Sequence, residues 1–258
     1  MNAAPVCVEA GQGDTAVLLL HGIGGGAAIW NDALGVLAAA GLHAVALDFP
    51  GYGATPGAPT MDGLVGAVAV TVARLGARRT VLVGHSMGGM VAQEFLARGH
   101  GGVHALVLAC TSPAFGKPDG AWQARFVADR LAPLDAGLGM AGMARALVPA
   151  MVAPGAVPGA AERAIAVMAA VPEATYRTAL QAIAAFDRRA ALPAIAVPTL
   201  CLAGAHDRTA PPEVLQRMAQ HIPGARFQCL ADAGHIANIE QPASFHAALL
   251  DFLQPPVV

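Results

Sequence analysis

The segment Thr80–Met90, TVLVGHSMGGM, carries the pattern that decides the fold. It begins with an apolar run typical of a buried strand, and helical character follows as far as about Arg98. Between them, the G-x-S-x-G pattern of Gly84, Ser86 and Gly88 predicts a sharp strand-to-helix turn, because glycines on either side leave room for it. The sequence therefore predicts a strained serine exposed at the tip of this turn.

This pattern is specific in a chain with so few serines. The sequence contains three, Ser86, Ser112 and Ser244, among 258 residues of which 30 are glycine. Chance would place glycines two positions either side of one of them about 0.04 times, before the strand and helix are required. The alternative, a glycine-rich turn with a bystander serine, is the weaker interpretation.

Short apolar runs alternate with longer helical stretches, which predicts an α/β fold with a mostly parallel sheet. The runs are continuous in hydrophobicity, as expected for strands covered on both faces. The predicted strands are Ala16–Leu20, Ala44–Leu47, Thr80–Val83, Ala105–Ala109, Thr199–Ala203 and Arg226–Leu230.

The alternation stops between residues 112 and 187, where alanine- and methionine-rich helical stretches are broken by prolines. We interpret 112–187 as a helical insertion in a single core domain formed by 1–111 and 188–258. The alternative, a pair of ordinary crossover helices, needs far fewer residues than this block contains.

Composition excludes several classes of partner. With a formal charge of −2, 12% charged residues and no lysine or arginine run, the chain has no electrostatic footprint for nucleic acid or an anionic membrane. The first residues lack the pattern of a secretory signal. The segment 138–157, considered as a membrane span, is interrupted by Arg145, Pro149 and Pro154. We therefore expect a cytoplasmic protein with a small-molecule substrate, no nucleic-acid partner and no membrane partner.

The cysteines predict neither a metal site nor a redox site. They have no C-x-x-C spacing and no histidine at ligand spacing, so they are expected to be small buried hydrophobes in a reducing compartment. They are Cys7, Cys110, Cys201 and Cys229.

A nucleophilic serine needs a base, and the base needs a carboxylate to orient it. Asp207 and His235 each follow a predicted strand, in the order serine, acid, histidine that suits an elbow of this kind. Their local competitors are His206 and Asp232. Only His235 follows the last strand in a glycine-flanked loop, so we predict Ser86, Asp207 and His235 as the catalytic residues.

The developing oxyanion requires hydrogen-bond donors. One is expected to be the backbone N–H of Met87, after the serine, and the other lies in the loop LHGIGGGA, Leu20–Ala27. We predict the Ile23 N–H for this second position, with Gly24 as the fallback.

The same loop also fits a dinucleotide-binding pattern through Gly22, Gly24 and Ala27, with Asp48 as the acidic residue downstream. A nucleotide enzyme would not need the serine, acid and histidine found later in the chain. We therefore predict a structural role for Asp48 in a Pro-Gly turn and no cofactor.

Together, five motifs resemble those of the α/β-hydrolase superfamily, from about Val17 to Phe252. The resemblance implies an α/β-hydrolase fold, a mostly parallel sheet flanked by helices, with 112–187 as a mobile helical cap over the active site. The motifs are His21–Gly24 with Trp30, Asp48–Gly53, Gly84–Gly89, Gly204–Asp207 and Ala233–His235.

Within the superfamily, Asn238–Pro242 and the cap segment Ala121–Arg125 resemble 3-oxoadipate enol-lactonases, enzymes of aromatic compound catabolism. An anionic lactone needs a cation on the cap, which predicts Arg125 or Arg130 as a carboxylate ligand. Trp122 and Gly24 are further predicted substrate contacts. The alternatives are solvated arginines on a cap helix and a Trp122 that belongs to the core.

Departures from related families narrow the function. Carbon–carbon bond hydrolases usually carry a tryptophan just after the histidine, where this chain has Ile236-Ala237, and haloalkane dehalogenases use an aspartate nucleophile instead of Ser86. We predict a serine hydrolase for the ester or lactone of a small carboxylic acid. The alternatives are a broad carboxylesterase, a cofactor-free perhydrolase-type acyl transferase, or a non-catalytic ligand-binding protein. The oligomeric state, including a homo-oligomer, stays open.

Overall fold

A computed structural model of the chain describes residues 4–116 and 120–253. The remaining residues, 1–3, 117–119 and 254–258, fall in the predicted core and cap segments and lie outside the described residues.

The centre of the described structure is a seven-stranded sheet in the order β1-β3-β2-β4-β5-β6-β7. β1 pairs antiparallel with β3, and all other neighbours are parallel, which confirms the predicted α/β fold. The strands are β1 (Cys7–Ala10), β2 (Thr15–Leu20), β3 (His43–Leu47), β4 (Arg79–His85), β5 (Ala105–Ala109), β6 (Thr199–Gly204) and β7 (Arg226–Leu230).

The strand missing from the sequence prediction is β1, at the edge of the sheet. It has only four residues, and Val8 and Glu9 are exposed, so it lacks the continuous apolar character of the central strands. Cys229 also departs from its predicted burial. It lies on β7, at the opposite edge, where its side chain is exposed.

Helices flank the sheet and connect its parallel strands. α1 packs against α10, and α2 packs against α3. The core helices are α1 (Asn31–Ala39), α2 (Met61–Leu75), α3 (Met87–Ala97), α8 (Pro212–His221), α9 (Ala237–Glu240) and α10 (Pro242–Leu253). None of the helices in the described part of the chain is long and apolar enough to cross a membrane.

Between β5 and β6, where the sequence predicts the insertion, the described residues form four α-helices and the 3-10 helices Val148–Ala150 and Arg189–Ala194. The α-helices are α4 (Ala121–Asp135), α5 (Gly139–Leu147), α6 (Ala160–Ala169) and α7 (Glu173–Ala184). The two ends of the segment are joined: Ala114 and Asp187 form an antiparallel bridge, and the Arg188 N–H donates to the Pro113 carbonyl at 2.7 Å. The helical segment therefore leaves and re-enters the sheet layer at one place.

Candidate active site

Ser86 lies at the junction of β4 and α3 with φ 52° and ψ −117°, a conformation that side-chain-bearing residues rarely adopt. The flanking glycines make this turn sterically possible. A Cβ on Gly84 would lie 2.5 Å from the Gly88 oxygen, and one on Gly88 would lie 2.3 Å from the Leu20 oxygen. The two glycines of the G-x-S-x-G pattern are therefore needed because other backbone segments lie too close for a side chain.

The structure brings the three predicted catalytic side chains into one hydrogen-bonded chain. Ser86 Oγ lies 3.0 Å from His235 Nε2, and His235 Nδ1 lies 2.8 Å from Asp207 Oδ2. Because a carboxylate only accepts, Nδ1 carries the proton and donates to Asp207, which leaves Nε2 to accept the Ser86 hydroxyl proton. The imidazole is thus held in the tautomer that a general base needs.

Asp207 is buried and fixed by its own loop. Its Oδ1 accepts the N–H groups of Thr209 at 2.8 Å and Ala210 at 2.9 Å, while Oδ2 faces His235. The competitors His206 and Asp232 are both exposed and form no hydrogen bond with Ser86 or His235. His206, although next to Asp207, and Asp232, although close to His235 in the chain, are therefore not part of the hydrogen-bonded chain.

Glu240 organises the histidine loop, a role not predicted from the sequence. Its buried carboxylate accepts three backbone N–H groups: Gly234 and Ala153 at 2.7 Å on Oε2, and Ile236 at 2.8 Å on Oε1. Two of these donors flank His235, and the third belongs to the insertion. The signal available in the sequence was a glutamate five residues after the histidine, on the next short helix.

His85 supports the same loop from the nucleophile turn. Its Nε2–H donates to the His235 carbonyl at 2.7 Å, and the His235 N–H donates to the Met151 carbonyl at 2.8 Å. Burial, reinforced by the neighbouring His235, lowers the pKa of His85 to about 4. His85 is therefore neutral near pH 7 and anchors the backbone of His235 at its carbonyl.

Two backbone N–H groups near Ser86 match the predicted oxyanion donors. Ile23 and Met87 both line the cavity beside Ser86, and neither N–H has a hydrogen-bond acceptor within the described residues. Met87 is the first residue of α3, where the helix dipole favours negative charge. The positions fit donors to an oxyanion.

The Ile23 peptide is braced from the side opposite its N–H. The Gly22 carbonyl of that peptide accepts the His21 Nδ1–H at 2.8 Å and the Gly25 N–H at 2.9 Å, and the Tyr52 hydroxyl donates to the Ile23 carbonyl at 2.9 Å. In a trans peptide the carbonyl and N–H point in opposite directions. Fixing the Gly22 carbonyl therefore fixes the direction of the Ile23 N–H.

Asp48 holds the loop at its other end. Its Oδ1 accepts the Ala27 N–H at 2.7 Å, at the start of the 3-10 helix Ala27–Trp30. A pyrophosphate bound in the dinucleotide mode would require donors at this helix start. Because the Ala27 N–H already donates to Asp48, it is not available to a pyrophosphate. This contact fits the predicted structural role of Asp48.

A cavity of about 740 Å³ opens from Ser86 and His235 towards α4. Trp122 and Arg130, two predicted substrate contacts, line it, and Phe126 lies between them along the helix. These residues are spaced by four, so they share one face of α4. Most of the cavity surface is apolar, which suits an organic acyl group.

Two predicted substrate contacts are corrected by the structure. Arg125 is exposed and does not line the cavity, because it lies one position before Phe126 and about 100° around the helix. Gly24 does not line the cavity either. A Cβ there would lie 3.2 Å from the Met168 side chain, so this glycine makes room for α6 instead of substrate.

Within residues 4–116 and 120–253, no group of three or more histidine, cysteine, aspartate or glutamate side chains is arranged to hold a metal ion. The polar groups gathered around Ser86 are the His235 imidazole, the Asp207 carboxylate behind it, and the backbone N–H groups of Ile23 and Met87.

Comparison with known proteins agrees with the fold. Residues 15–242 match the family described as alpha/beta hydrolase fold. The chain is 34% identical over 247 residues to the "Putative carbamate hydrolase RutD" of Variovorax paradoxus (strain S110), covering 92% of this chain and 91% of that protein. This chain belongs to the alpha/beta hydrolase fold family.

Solved structures of esterases and lactonases share the architecture. A thermophilic esterase from Thermogutta terrifontis, with malate bound, superposes with a TM-score of 0.85 at 28% identity, over 96% of this chain and 92% of that one. The enol-lactonase from Burkholderia xenovorans LB400 superposes with a TM-score of 0.83 at 27% identity, over 96% of each chain.

Proposed function

We propose that this protein is a serine hydrolase that cleaves the ester or lactone bond of a small carboxylic acid. The observation that carries this proposal is the hydrogen-bonded chain from Ser86 through His235 to Asp207, which opens into an apolar cavity. The esterase and enol-lactonase neighbours support the same reaction class.

In the proposed mechanism, His235 Nε2 takes the Ser86 hydroxyl proton as Oγ attacks the substrate carbonyl. The Ile23 and Met87 N–H groups stabilise the oxyanion of the tetrahedral intermediate. The intermediate collapses to an acyl-enzyme, and His235 returns the proton to the departing alkoxide. A water deprotonated by His235 then attacks the acyl carbon, and the proton passes back to Ser86. In a lactone the released alcohol stays attached to the acyl group.

A carbamate is the second candidate substrate class, supported by the similarity to RutD over nine-tenths of the chain. The same nucleophile and donors suit a carbamate carbonyl, since only the leaving group and the substituent on the carbonyl differ. Parallel assays with a short ester, an enol-lactone and a carbamate would rank the classes by kcat/KM, and a preference for the carbamate would overturn the ester assignment.

The test of the hydrolase proposal is turnover of p-nitrophenyl acetate by Ser86→Ala and Ser112→Ala proteins. Ser112 is the matched control because it also lines the cavity, yet its hydroxyl donates to the Ala114 carbonyl. We expect Ser86→Ala to lose at least about 10³-fold in kcat and Ser112→Ala to change by less than about tenfold. Unchanged turnover in a folded Ser86→Ala protein contradicts the proposal.

A further inference from the structure

The cavity that opens from Ser86 carries positive charge from residues outside the predicted insertion 112–187. Arg189, Arg208 and Arg217 line it, in addition to Arg130 on α4. No aspartate or glutamate lines the cavity in the described part of the structure. A concave surface with charge of one sign attracts the opposite charge, and its low-dielectric walls strengthen that attraction.

Arg130, Arg208 and Arg217 have no ion-pair partner within the described residues, although Arg130 lies over the Phe126 ring at 5.2 Å. Arg189 pairs with Asp187, whereas Arg208 and Arg217 form neither an ion pair nor a side-chain hydrogen bond within residues 4–116 and 120–253. Glu213 is four residues before Arg217 on α8, a spacing at which such pairs usually form. Glu213 is exposed, does not line the cavity and forms no ion pair with Arg217 within the described residues. Arg217 is also exposed, and it lines the cavity.

The two arginines come from elements fixed to the candidate site. Arg208 follows Asp207 directly, in the loop whose Thr209 and Ala210 N–H groups hold that carboxylate. Arg217 lies on α8, beside Met218, which also lines the cavity. Guanidinium groups bind carboxylates with two parallel hydrogen bonds, so guanidinium groups that line a cavity without an ion-pair partner suit a carboxylate ligand.

We propose that Arg208 and Arg217 bind a carboxylate on the part of the substrate that is not cleaved. The substrate class is then an acid that carries its ester or lactone at a distance from a free carboxylate. This inference rests on the proposed hydrolase function and specifies its substrate. The sequence predicts Arg125 or Arg130 as the carboxylate ligand, and this inference adds Arg208 and Arg217 to Arg130, which lines the cavity.

The kinetic test compares an anionic and a neutral substrate of equal length, mono-p-nitrophenyl glutarate and p-nitrophenyl pentanoate. In the Arg208→Ala/Arg217→Ala double variant we expect kcat/KM for the glutarate ester to fall about tenfold to a hundredfold, with less than about a twofold change for the neutral ester. Arg145→Ala is the control, because Arg145 is exposed on α5 and does not line the cavity. Equal losses on both substrates, or no loss on either, overturn the assignment.

A binding measurement separates this inference from the proposed function. Isothermal titration calorimetry of glutarate and of inorganic phosphate into Ser86→Ala protein needs no turnover. We expect glutarate to bind more tightly than phosphate, and the double variant to weaken glutarate binding at least about tenfold. Tighter phosphate binding, or glutarate binding unaffected by the arginine changes, overturns the carboxylate site. If glutarate binding depends on the two arginines but the wild-type protein shows no esterase activity, the carboxylate site stands and the hydrolase proposal is refuted.

Discussion

The two walls of the cavity are built in different ways. On the core wall, which we define as Ser86, Met87, Ile23 and His235, functional groups are held by hydrogen bonds from several directions. On the cap wall, formed by α4, the contacts are between rings: Trp122 stacks on Phe126 with centroids 5.1 Å apart. Of the residues of α4, only Leu134 is buried.

The two walls need different positional precision. Proton transfer and oxyanion stabilisation depend on positions held to a fraction of an ångström, which converging hydrogen bonds provide. Aromatic contacts on a largely exposed helix define the shape of a cavity without fixing any one atom so closely. Changes to the core wall should therefore reduce the rate of the chemical step, and changes to the cap wall should alter substrate preference.

The largest effect should follow from removing the charge that orients His235. For Asp207→Asn we expect kcat for p-nitrophenyl acetate to fall about 10⁴-fold, because the amide favours the wrong imidazole tautomer. Asp232→Asn is the control, since Asp232 is exposed on the neighbouring loop. Comparable losses in the two variants would contradict the assignment of Asp207.

A second change on the core wall should affect stability and rate together. Glu240→Gln leaves an NH₂ group facing at least one of the three N–H donors, so we expect it to cost about 1–3 kcal/mol of unfolding free energy. Because two of those donors flank His235, kcat should also fall, by about tenfold or more. Denaturant unfolding and steady-state kinetics measure both quantities, with the exposed Glu162→Gln as control. If kcat is unchanged, Glu240 does not position His235.

Burial of His85 predicts a pH dependence of stability. Its pKa is about 4 in the folded protein and near 6.5 when unfolded, so the unfolded chain binds the additional proton between these values. The stabilisation is present above pH 6.5 and is lost as the pH falls towards 4. Relative to His85→Gln, the unfolding free energy of the wild type should fall more steeply, by about 1.4 kcal/mol per pH unit. Parallel slopes would show that His85 is not held neutral.

The smallest effect is expected on the cap wall. Trp122→Ala should raise KM for aromatic esters about threefold to tenfold through lost ring contacts, with kcat for p-nitrophenyl acetate changed less than about twofold. Leu138→Ala is the control, because Leu138 is an exposed apolar residue that does not line the cavity. A large fall in kcat would remove the distinction between the walls.

Sequence patterns predict the core wall well, because its parts are local. A buried strand followed by a glycine turn or loop is visible within about ten residues, and this signal identified Ser86, Asp207 and His235 as candidates. The supports of these residues are not visible in the same way. His85 contacts the backbone of a residue 150 positions away, and nothing in its neighbourhood distinguishes it from an ordinary buried histidine.

The cap wall was harder to predict for a physical reason. Arg125 and Arg130 lie about 140° apart on a helix, and only the packing of α4 decides which of them faces the cavity. The edge strand β1 is not predicted because its four residues, of which Val8 and Glu9 are exposed, carry no clear hydrophobic period. Local sequence patterns determine backbone turns, whereas the face that a helix turns towards a cavity depends on the elements packed against it.

Covalent labelling can show whether Ser86 is the nucleophile that the proposed mechanism requires. The protein would be treated with a fluorophosphonate and its intact mass measured, with Ser86→Ala and Ser112→Ala proteins in parallel. We expect one adduct on the wild type and on Ser112→Ala, and none on Ser86→Ala. An adduct that persists in Ser86→Ala, or its absence from the wild type, would contradict this role of Ser86.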